Sequence, residues 1–167
     1  MNSKGIREYQ QKQISERQLK KLEELVGSEG IEKDPSAVQT FCQDWTKKHK
    51  GGGCGIVLLP KNTQQVSSLL AFCNSERIPV VPQGGNTGLV AGGVPLSVSS
   101  SSSSSSSSSA YSCSEAVLSL RRLSKIHSID SVSGIVVTDA GVILVFYFIV
   151  YFYFYRLFSF LLEKGKN

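Results

Sequence analysis

Apolar residues recur at helical spacing between residues 15 and 26 and predict a first amphipathic helix. Ser15 followed three positions later by Gln18 forms a capping box, which satisfies backbone N–H groups where a helix begins. Gly27 follows the last apolar position and is expected to end the helix. Because the apolar stripe covers one face only, we expect this helix to dock on a larger body. A second, short helix is expected after Asp34, with a proline in its first turn.

The middle of the chain has the pattern of an α/β fold. Residues 55–60 and 78–82 are short apolar runs of strand length that end in proline. The helix predicted between them, capped by an asparagine, has four apolar residues on one face: Val66, Leu69, Leu70 and Cys73. Strand, helix and strand form one crossover unit, which favours a parallel pair. Further strands are expected at residues 116–120 and 135–138, with a turn and a short strand within residues 121–131.

Two segments differ from the rest of the chain. Residues 99–109 are eleven consecutive serines, which cannot bury apolar area to offset their ordering entropy, so the insertion at 97–114 is expected to be disordered. Residues 142–162 are almost wholly apolar, broken by Arg156 and Ser159, and roughly 20 such residues can cross a bilayer as a helix. The run also has the aromatic-rich composition of a translated thymine-rich intron. A membrane anchor and a gene-model artefact are therefore both open interpretations.

Length, charge and the placement of cysteines and histidines exclude several classes of protein. The 167 residues fit one modest domain, and the net charge of +5 is dispersed along the chain, which argues against a nucleic-acid partner. The cysteines include no C-x-x-C, and the histidines form no short metal-ligand pair, so neither a zinc module nor a disulfide scaffold is expected. These residues are Cys42, Cys54, Cys73, Cys113, His49 and His127. The polar first 13 residues predict no secretory signal and no clear transit peptide.

The candidate chemistry lies in the loop at residues 82–95, PQGGNTGLVAGGVP. Glycines placed directly after an apolar strand let the backbone approach a ligand closely and expose several N–H groups together, which suits a phosphate or pyrophosphate. No Gly-Lys-Ser/Thr follows, so this is not a Walker loop. The G-G-x-x-G of residues 84–88, without a later acidic partner, is not the Rossmann fingerprint. From composition alone, a flexible surface loop is the alternative interpretation.

The same loop resembles the pyrophosphate-binding loop of flavoproteins in the vanillyl-alcohol oxidase superfamily, whose FAD domain is of the PCMH type. It is more narrowly similar to the branch of D-2-hydroxyglutarate dehydrogenases and FAD-linked D-lactate dehydrogenases. Supporting sequence occurs in family order: DWT at 44–46, the long block at 56–90, and AVLSLRRLSKIHSIDSVSGIVVTDAG at 116–141. The resemblance implies an α/β (α+β) fold with a partial PCMH-type FAD-binding domain at residues 40–141, truncated after its first part. An N-terminal helical extension is expected before it, at residues 1–39.

The resemblance also implies FAD as the cofactor and assigns its contacts. The backbone of residues 84–88 would hold the pyrophosphate, the flanking residues would lead into the loop and out of it near the flavin, and four later residues match weaker cofactor-side positions. The implied contacts are Pro82, Gln83, Gly84, Gly85, Asn86, Thr87, Gly88, Leu89, Val94, Pro95, Ser133, Gly134, Ala140 and Gly141. Ala91 departs from the pattern, since the branch usually has glycine there.

The implied reaction is the oxidation of a D-2-hydroxy acid, with D-2-hydroxyglutarate as the first candidate, to the 2-oxo acid. The electron acceptor is not identified, and the location implied is mitochondrial. The resemblance stops at Gly141, before the substrate domain, so we expect an inactive N-terminal fragment without catalytic or metal-ligating residues, and leave open whether this chain is itself an enzyme. The alternative is a non-catalytic remnant tethered to a membrane through residues 142–162 of the tail at 142–167.

Overall fold

The computed structural model describes four stretches of the chain: residues 14–51, 54–95, 115–130 and 132–143. The serine-rich insertion at 97–114 lies outside these residues, and so does the tail from residue 144 onward. The disordered insertion, the membrane anchor and the artefact therefore stay predictions. Within the four stretches, no helix is long and apolar enough to cross a membrane.

Both helices predicted near the start of the chain are confirmed, and each begins at its expected cap. Helix α1 spans Glu16–Val26. The Ser15 hydroxyl accepts a hydrogen bond from the Gln18 N–H, and the Gln18 side chain accepts one from the Ser15 N–H at 2.9 Å, which completes the capping box. Helix α2 spans Pro35–Phe41, and the Asp34 carboxylate accepts a backbone N–H at 3.0 Å.

Helix α3 spans Thr63–Glu76 and begins at Asn62, whose side chain accepts a backbone N–H at 2.9 Å. Three of the four residues predicted on its apolar face pack in the core: Val66, Leu69 and Cys73. The prediction for Leu70 is wrong, since this side chain is 45 % exposed. Each residue turns an α-helix by about 100°, which takes Leu70 past the edge of the buried stripe, and Phe72 on the opposite edge packs there instead.

The described residues form six strands in two sheets. The strands are β1 (Ile31–Glu32), β2 (Ile56–Leu58), β3 (Val80–Gln83), β4 (Ala116–Ser119), β5 (Ile126–Asp130) and β6 (Ile135–Thr138). The first sheet has the order β1-β2-β4-β3, with β1 antiparallel to β2, and with β2 and β3 each parallel to β4. The parallel direction of β2 and β3 was expected. Their separation by β4 was not, and neither was the two-residue strand β1.

Apolar layers cover both faces of this sheet. On one face, α1 and α3 pack through Leu22 and Leu69 on the β-strand residues Leu58 and Leu118. On the other face, α2 and the residue that follows it pack on β2 and β4; this cluster includes Phe41, Cys42, Cys54, Val57 and Val117. All four residues of β4 are buried, as is usual for a central parallel strand covered on both sides. The carboxyl ends of β3 and β4 meet at one edge of the sheet.

Strands β5 and β6 form a separate antiparallel hairpin, which confirms the strands predicted in this part of the chain. The carboxylate of Asp130 shapes its turn by accepting the N–H of Val132 at 2.9 Å, and Gly134 takes a φ of +69°. Most of the hairpin side chains are exposed, including Ile135 and Val137. The hairpin therefore contributes little to the core, and the chain that follows β6 returns to the edge of the sheet.

Candidate functional site

The glycine-rich loop follows β3 directly and begins at the edge where β3 and β4 end. In open α/β sheets, ligands bind outside the carboxyl ends of the parallel strands. Residues 82–88 and 91–93 line a cavity of about 240 Å³ at this edge. The structure thus brings together seven consecutive residues that the sequence assigned to the cofactor.

Several backbone N–H groups of this loop have no hydrogen-bond acceptor among the described residues. The N–H groups of residues 84–88 donate to no acceptor in the part of the chain that the structure describes. None of the described residues that line the cavity carries a charge, so none of them repels an anion there. A series of unused N–H groups around a cavity without negative charge is a feature of anion-binding loops.

Four of the five glycines of the loop divide into two kinds. A Cβ on Gly84 would lie 2.7 Å from the carbonyl oxygen of Ala140, and one on Gly85 would lie 2.6 Å from the side chain of Ile143. A Cβ on Gly88 or Gly92 would meet no atom within 4 Å. The first two glycines therefore allow close packing against the segment that follows β6, whereas the other two leave the cavity open.

Two polar side chains of the loop bind protein backbone. Gln83 is buried, and its Nε2 donates to the carbonyl oxygens of Phe41 at 2.9 Å and Gly93 at 2.8 Å. Asn86 donates through Nδ2 to the carbonyl oxygen of Gln43 at 2.8 Å. These bonds tie the start of the loop to α2 and to the end of the loop at Gly93, and they tie the middle of the loop to the chain after α2. The sequence assigned Gln83 and Asn86 to the cofactor; the structure shows what their amide nitrogens hold, and the contact of their backbone with FAD stays a prediction.

Asp44 organises the segment that receives Asn86. Its carboxylate is buried and accepts the His49 N–H at 2.8 Å and the hydroxyl of Thr46. Burial acts to raise the pKa of Asp44, but these hydrogen bonds outweigh it and leave the pKa below its usual value. The ionised carboxylate therefore fixes the turn that places the Gln43 carbonyl oxygen under the glycine-rich loop.

The remaining residues assigned to the cofactor lie in three places. Leu89 is exposed on the loop, while Val94 and Pro95 are buried where the chain leaves it. Ala140 lies beside Gly84, and Gly141 donates its N–H to the carbonyl oxygen of Leu123 at 2.9 Å. The structure places Ser133 and Gly134 in the β5–β6 turn, at the opposite end of the hairpin from Gly141. Their assignment to FAD stays a prediction.

The backbone at Ala91 explains why glycine is usual at this position. Ala91 has a φ of +57°, in the left-handed region that glycine adopts without steric cost. The Ala91 carbonyl oxygen accepts the Val94 N–H at 3.0 Å. The departure from the family pattern therefore adds backbone strain at this residue.

A model of the FAD binding domain family matches residues 55–145, which is more than half of the chain. The chain belongs to this family. FAD is therefore the cofactor of the domain. The cavity, the unused N–H groups and the absence of charge around them fit a pyrophosphate group, which is the most anionic part of FAD.

Relatives and solved structures agree with this family. The chain is 40 % identical over 123 residues to a mitochondrial D-2-hydroxyglutarate dehydrogenase of Arabidopsis thaliana, covering 74 % of this chain and 19 % of the relative. It is 37 % identical over 138 residues to a putative mitochondrial D-lactate dehydrogenase of Schizosaccharomyces pombe, covering 78 % and 23 %. The chain therefore spans about a fifth of the length of these relatives.

The fold of the chain also matches solved structures. Alkyldihydroxyacetonephosphate synthase superposes with a TM-score of 0.58 at 14 % identity, over 77 % of this chain and 24 % of the other. p-Cresol methylhydroxylase superposes with a TM-score of 0.52 at 14 % identity, over 77 % and 23 %. At this identity the match concerns the fold alone, and it confirms the predicted PCMH-type architecture.

The sequence did not identify the residues outside the loop that hold it in place. Asp44 was noted only as part of the DWT motif, and its spacing to Thr46 is typical of a side chain that closes a turn on its own backbone. The pairing of His127 Nε2 with Asp139 Oδ1 at 2.7 Å was also not expected. Within the described stretches, no group of three or more His, Cys, Asp or Glu side chains could hold a metal ion.

Proposed function

We propose that residues 84–88 bind the pyrophosphate of FAD through their backbone N–H groups, in a flavin-dependent dehydrogenase of D-2-hydroxy acids. The observation that supports this assignment most directly is that the N–H groups of residues 84–88 find no acceptor among the described residues, and that the same residues line a cavity at the carboxyl end of β3 whose described lining carries no charge. Two negative charges held by several fixed dipoles need no lysine or arginine.

In this proposal each part of the loop has a separate role. Gln83 and Asn86 position the backbone, because their amide nitrogens hold the loop against carbonyl oxygens of Phe41, Gly93 and Gln43. Gly88 and Gly92 leave room for the ligand. Bound FAD supplies the two-electron oxidation of a carbon–hydrogen bond, and the described residues bind and orient it. None of them is assigned a catalytic role.

The substrate class comes from the relatives. One is named for D-2-hydroxyglutarate and the other for D-lactate, which are both D-2-hydroxy acids. We infer the same class for the complete enzyme that this domain serves, with D-2-hydroxyglutarate as the first candidate. Both relatives are named mitochondrial, and we propose the same location for this protein.

Binding of FAD to the full 167-residue chain tests the loop assignment. A cavity of about 240 Å³ is smaller than FAD, so the affinity is expected to be weak, and inorganic pyrophosphate should compete. Gly88→Val places a side chain in open space, so it should lower the affinity for FAD about tenfold or more without unfolding the chain. Ser67→Val, on an exposed part of α3, is the matched control and should leave binding unchanged.

The outcomes separate the hypotheses clearly. Unchanged FAD affinity in a folded Gly88→Val chain would show that the ligand does not enter this cavity. Failure of pyrophosphate to compete would show that a different part of FAD is held there. Equal losses in Gly88→Val and Ser67→Val would mean that the loop is only a structural element.

A graft tests the reaction. Residues 14–95 of this chain, which contain the loop, would replace the matching segment of the Arabidopsis relative, and the hybrid would be assayed for bound flavin and for oxidation of D-2-hydroxyglutarate. We expect bound flavin and activity on the D but not the L enantiomer. Loss of flavin in a folded hybrid would count against the loop, whereas flavin retention without any activity on D-2-hydroxy acids would count against the substrate class.

A further inference from the structure

Two cysteines that belong to no sequence motif, 12 residues apart along the chain, meet in the core beneath the glycine-rich loop. Cys42 directly follows α2 as its C-cap, and Cys54 lies two positions before β2. Their Sγ atoms are 3.4 Å apart, and the residues are 0 % and 1 % exposed. Both thiols are reduced in this structure.

The chain between the two cysteines is already closed by backbone contacts. Gln43 and Lys50 form an antiparallel bridge, and the Gly51 N–H donates to the carbonyl oxygen of Cys42 at 2.7 Å. These contacts return the chain to Cys42 at a point three residues before Cys54, and the two thiols meet in the folded chain. A disulfide needs its sulfur atoms about 2 Å apart, a distance that small rotations about the Cα–Cβ bonds can reach from 3.4 Å.

We propose that Cys42 and Cys54 are a disulfide site, which closes on oxidation by a peroxide and reopens with a thiol reductant. The Cys42 thiolate attacks one peroxide oxygen; a sulfur–oxygen bond forms, the oxygen–oxygen bond breaks, and the other oxygen leaves as water after protonation. The Cys54 thiolate then attacks the Cys42 sulfur, the sulfur–sulfur bond forms, and the hydroxyl leaves as a second water. The two thiols lose two electrons and two protons, and one peroxide is reduced.

The surroundings of the cysteines favour this order of steps. A hydrogen bond with the Cys54 thiol lowers the pKa of Cys42, against the effects of burial and of the Glu115 charge. Cys73 is equally buried, but burial alone raises its pKa to about 11. Since both sulfur atoms of the pair are buried, a peroxide reaches them only after local opening, and the reaction is expected to be slower than that of an exposed thiol.

The cross-link would act on the segment that supports the loop. It would join the end of α2 to the start of β2, on either side of Gln43, whose carbonyl oxygen accepts the Asn86 side chain. The oxidised form would therefore hold that carbonyl oxygen in place more firmly than the reduced form. The disulfide site itself does not depend on flavin binding, so its test is independent of the function proposed above.

Peptide mapping of the full chain tests the site without any variant. The folded chain is treated with hydrogen peroxide, its remaining thiols are alkylated, and it is digested with trypsin without reductant. Cys42, Cys54 and Cys73 fall on separate peptides, at residues 34–47, 51–61 and 62–77. We expect peptide 34–47 joined to 51–61, with the loss of two hydrogen atoms, while Cys73 is recovered alkylated. Dithiothreitol should release the two peptides.

Controls separate native geometry from chance pairing. Oxidation in denaturant should give mixed pairs that include Cys73, and Cys73→Ser should leave the native cross-link intact. Cys54→Ser should abolish the cross-link and leave Cys42 to be alkylated or oxidised further. Dominant pairing of either cysteine with Cys73 or Cys113 in the folded chain would overturn the proposal. So would conversion of Cys42 to the sulfinic acid with no cross-link to Cys54.

Discussion

The central strand β4 and the hairpin strand β6 have similar compositions and opposite environments. Val117 in β4 is fully buried, because α1, α2 and α3 cover the two faces of its sheet. Val137 in β6 is 48 % exposed, because no layer of the described residues covers the hairpin. The comparison shows that a short β-branched run predicts a strand, but not how much free energy its burial contributes.

The two regions are therefore held together by different forces. Full burial of a valine side chain contributes about 1.5–3 kcal/mol, so the sheet gains from the apolar residues of β4, Ala116, Val117 and Leu118. The hairpin relies on local contacts instead: the turn shaped by Asp130, the pair of His127 with Asp139, and the close fit of Gly141 against the carbonyl oxygen of Leu120. Changes of equal chemistry should consequently have unequal effects in the two regions.

The largest difference in the free energy of unfolding is expected when an aspartate replaces a valine in each of the two strands. Val117→Asp would bury a carboxylate without a partner, which costs several kcal/mol and should prevent the sheet from folding. Val137→Asp leaves its charge in water and should change the free energy of unfolding by less than about 1 kcal/mol. Circular dichroism during urea titration measures both. Equal destabilisation by the two variants would show that the hairpin is as well covered as the sheet.

The contact that joins the two regions should be the next most sensitive. A Cβ on Gly141 would lie 2.0 Å from the carbonyl oxygen of Leu120, and this backbone atom cannot move without disturbing β4. Gly141→Ala should therefore cost about 1–3 kcal/mol and raise hydrogen exchange in the hairpin more than in the sheet. Gly88→Ala, whose Cβ meets no atom within 4 Å, is the control and should be neutral in the absence of ligand. Unchanged hairpin exchange in Gly141→Ala would contradict this role.

Acid should act on the hairpin through Asp139. Hydrogen bonds from His127 and from the Lys125 N–H hold the pKa of Asp139 below its usual value. A lowered pKa in the folded state gives stability that is present above the unfolded pKa, about 3.9, and is lost as the pH falls through the folded value. Hydrogen exchange, corrected for its intrinsic pH dependence, should show increasing opening of the hairpin below about pH 4. Hydrogen bonds with Ser133 and the Val132 N–H also lower the pKa of Asp130 in the hairpin turn, so Asp139→Asn should reduce this effect and not abolish it. An unchanged effect in the variant would assign it to another carboxylate.

The smallest effect on stability is expected at Ala91, in the glycine-rich loop that follows β3. At this residue backbone strain, and not burial, determines the effect. Ala91→Gly should stabilise the chain by about 0.5–1 kcal/mol, because relief of the left-handed conformation exceeds the added entropy of glycine in the unfolded chain. The urea midpoint should rise slightly, with hairpin exchange unchanged. A fall in the midpoint would show that the alanine methyl group makes a contact worth more than the strain.

Local sequence signals predicted the elements well where one residue decides the geometry. Ser15, Asp34 and Asn62 each begin a helix because a short polar side chain reaches the free N–H groups of the first turn. The glycine-rich loop was likewise assigned correctly to one end of a strand, and residues 82–88 do surround a single cavity. The prediction for Leu70 was wrong because the spacing of apolar residues shows which side of a helix faces the core, but not how wide the buried stripe is.

The sequence by itself determined the helix starts, five of the six strands, the family and the position of the glycine-rich loop at the end of β3, since these follow from residues close together along the chain. Only the tertiary structure decided that β4 lies between β2 and β3, that the Gln83 amide holds the carbonyl oxygens of Phe41 and Gly93, and that Cys42 meets Cys54. The physical reason is that these contacts join segments whose distance along the chain says nothing about their distance in space. They form because the sheet must cover both of its apolar faces, and that requirement appears only when all the layers pack together.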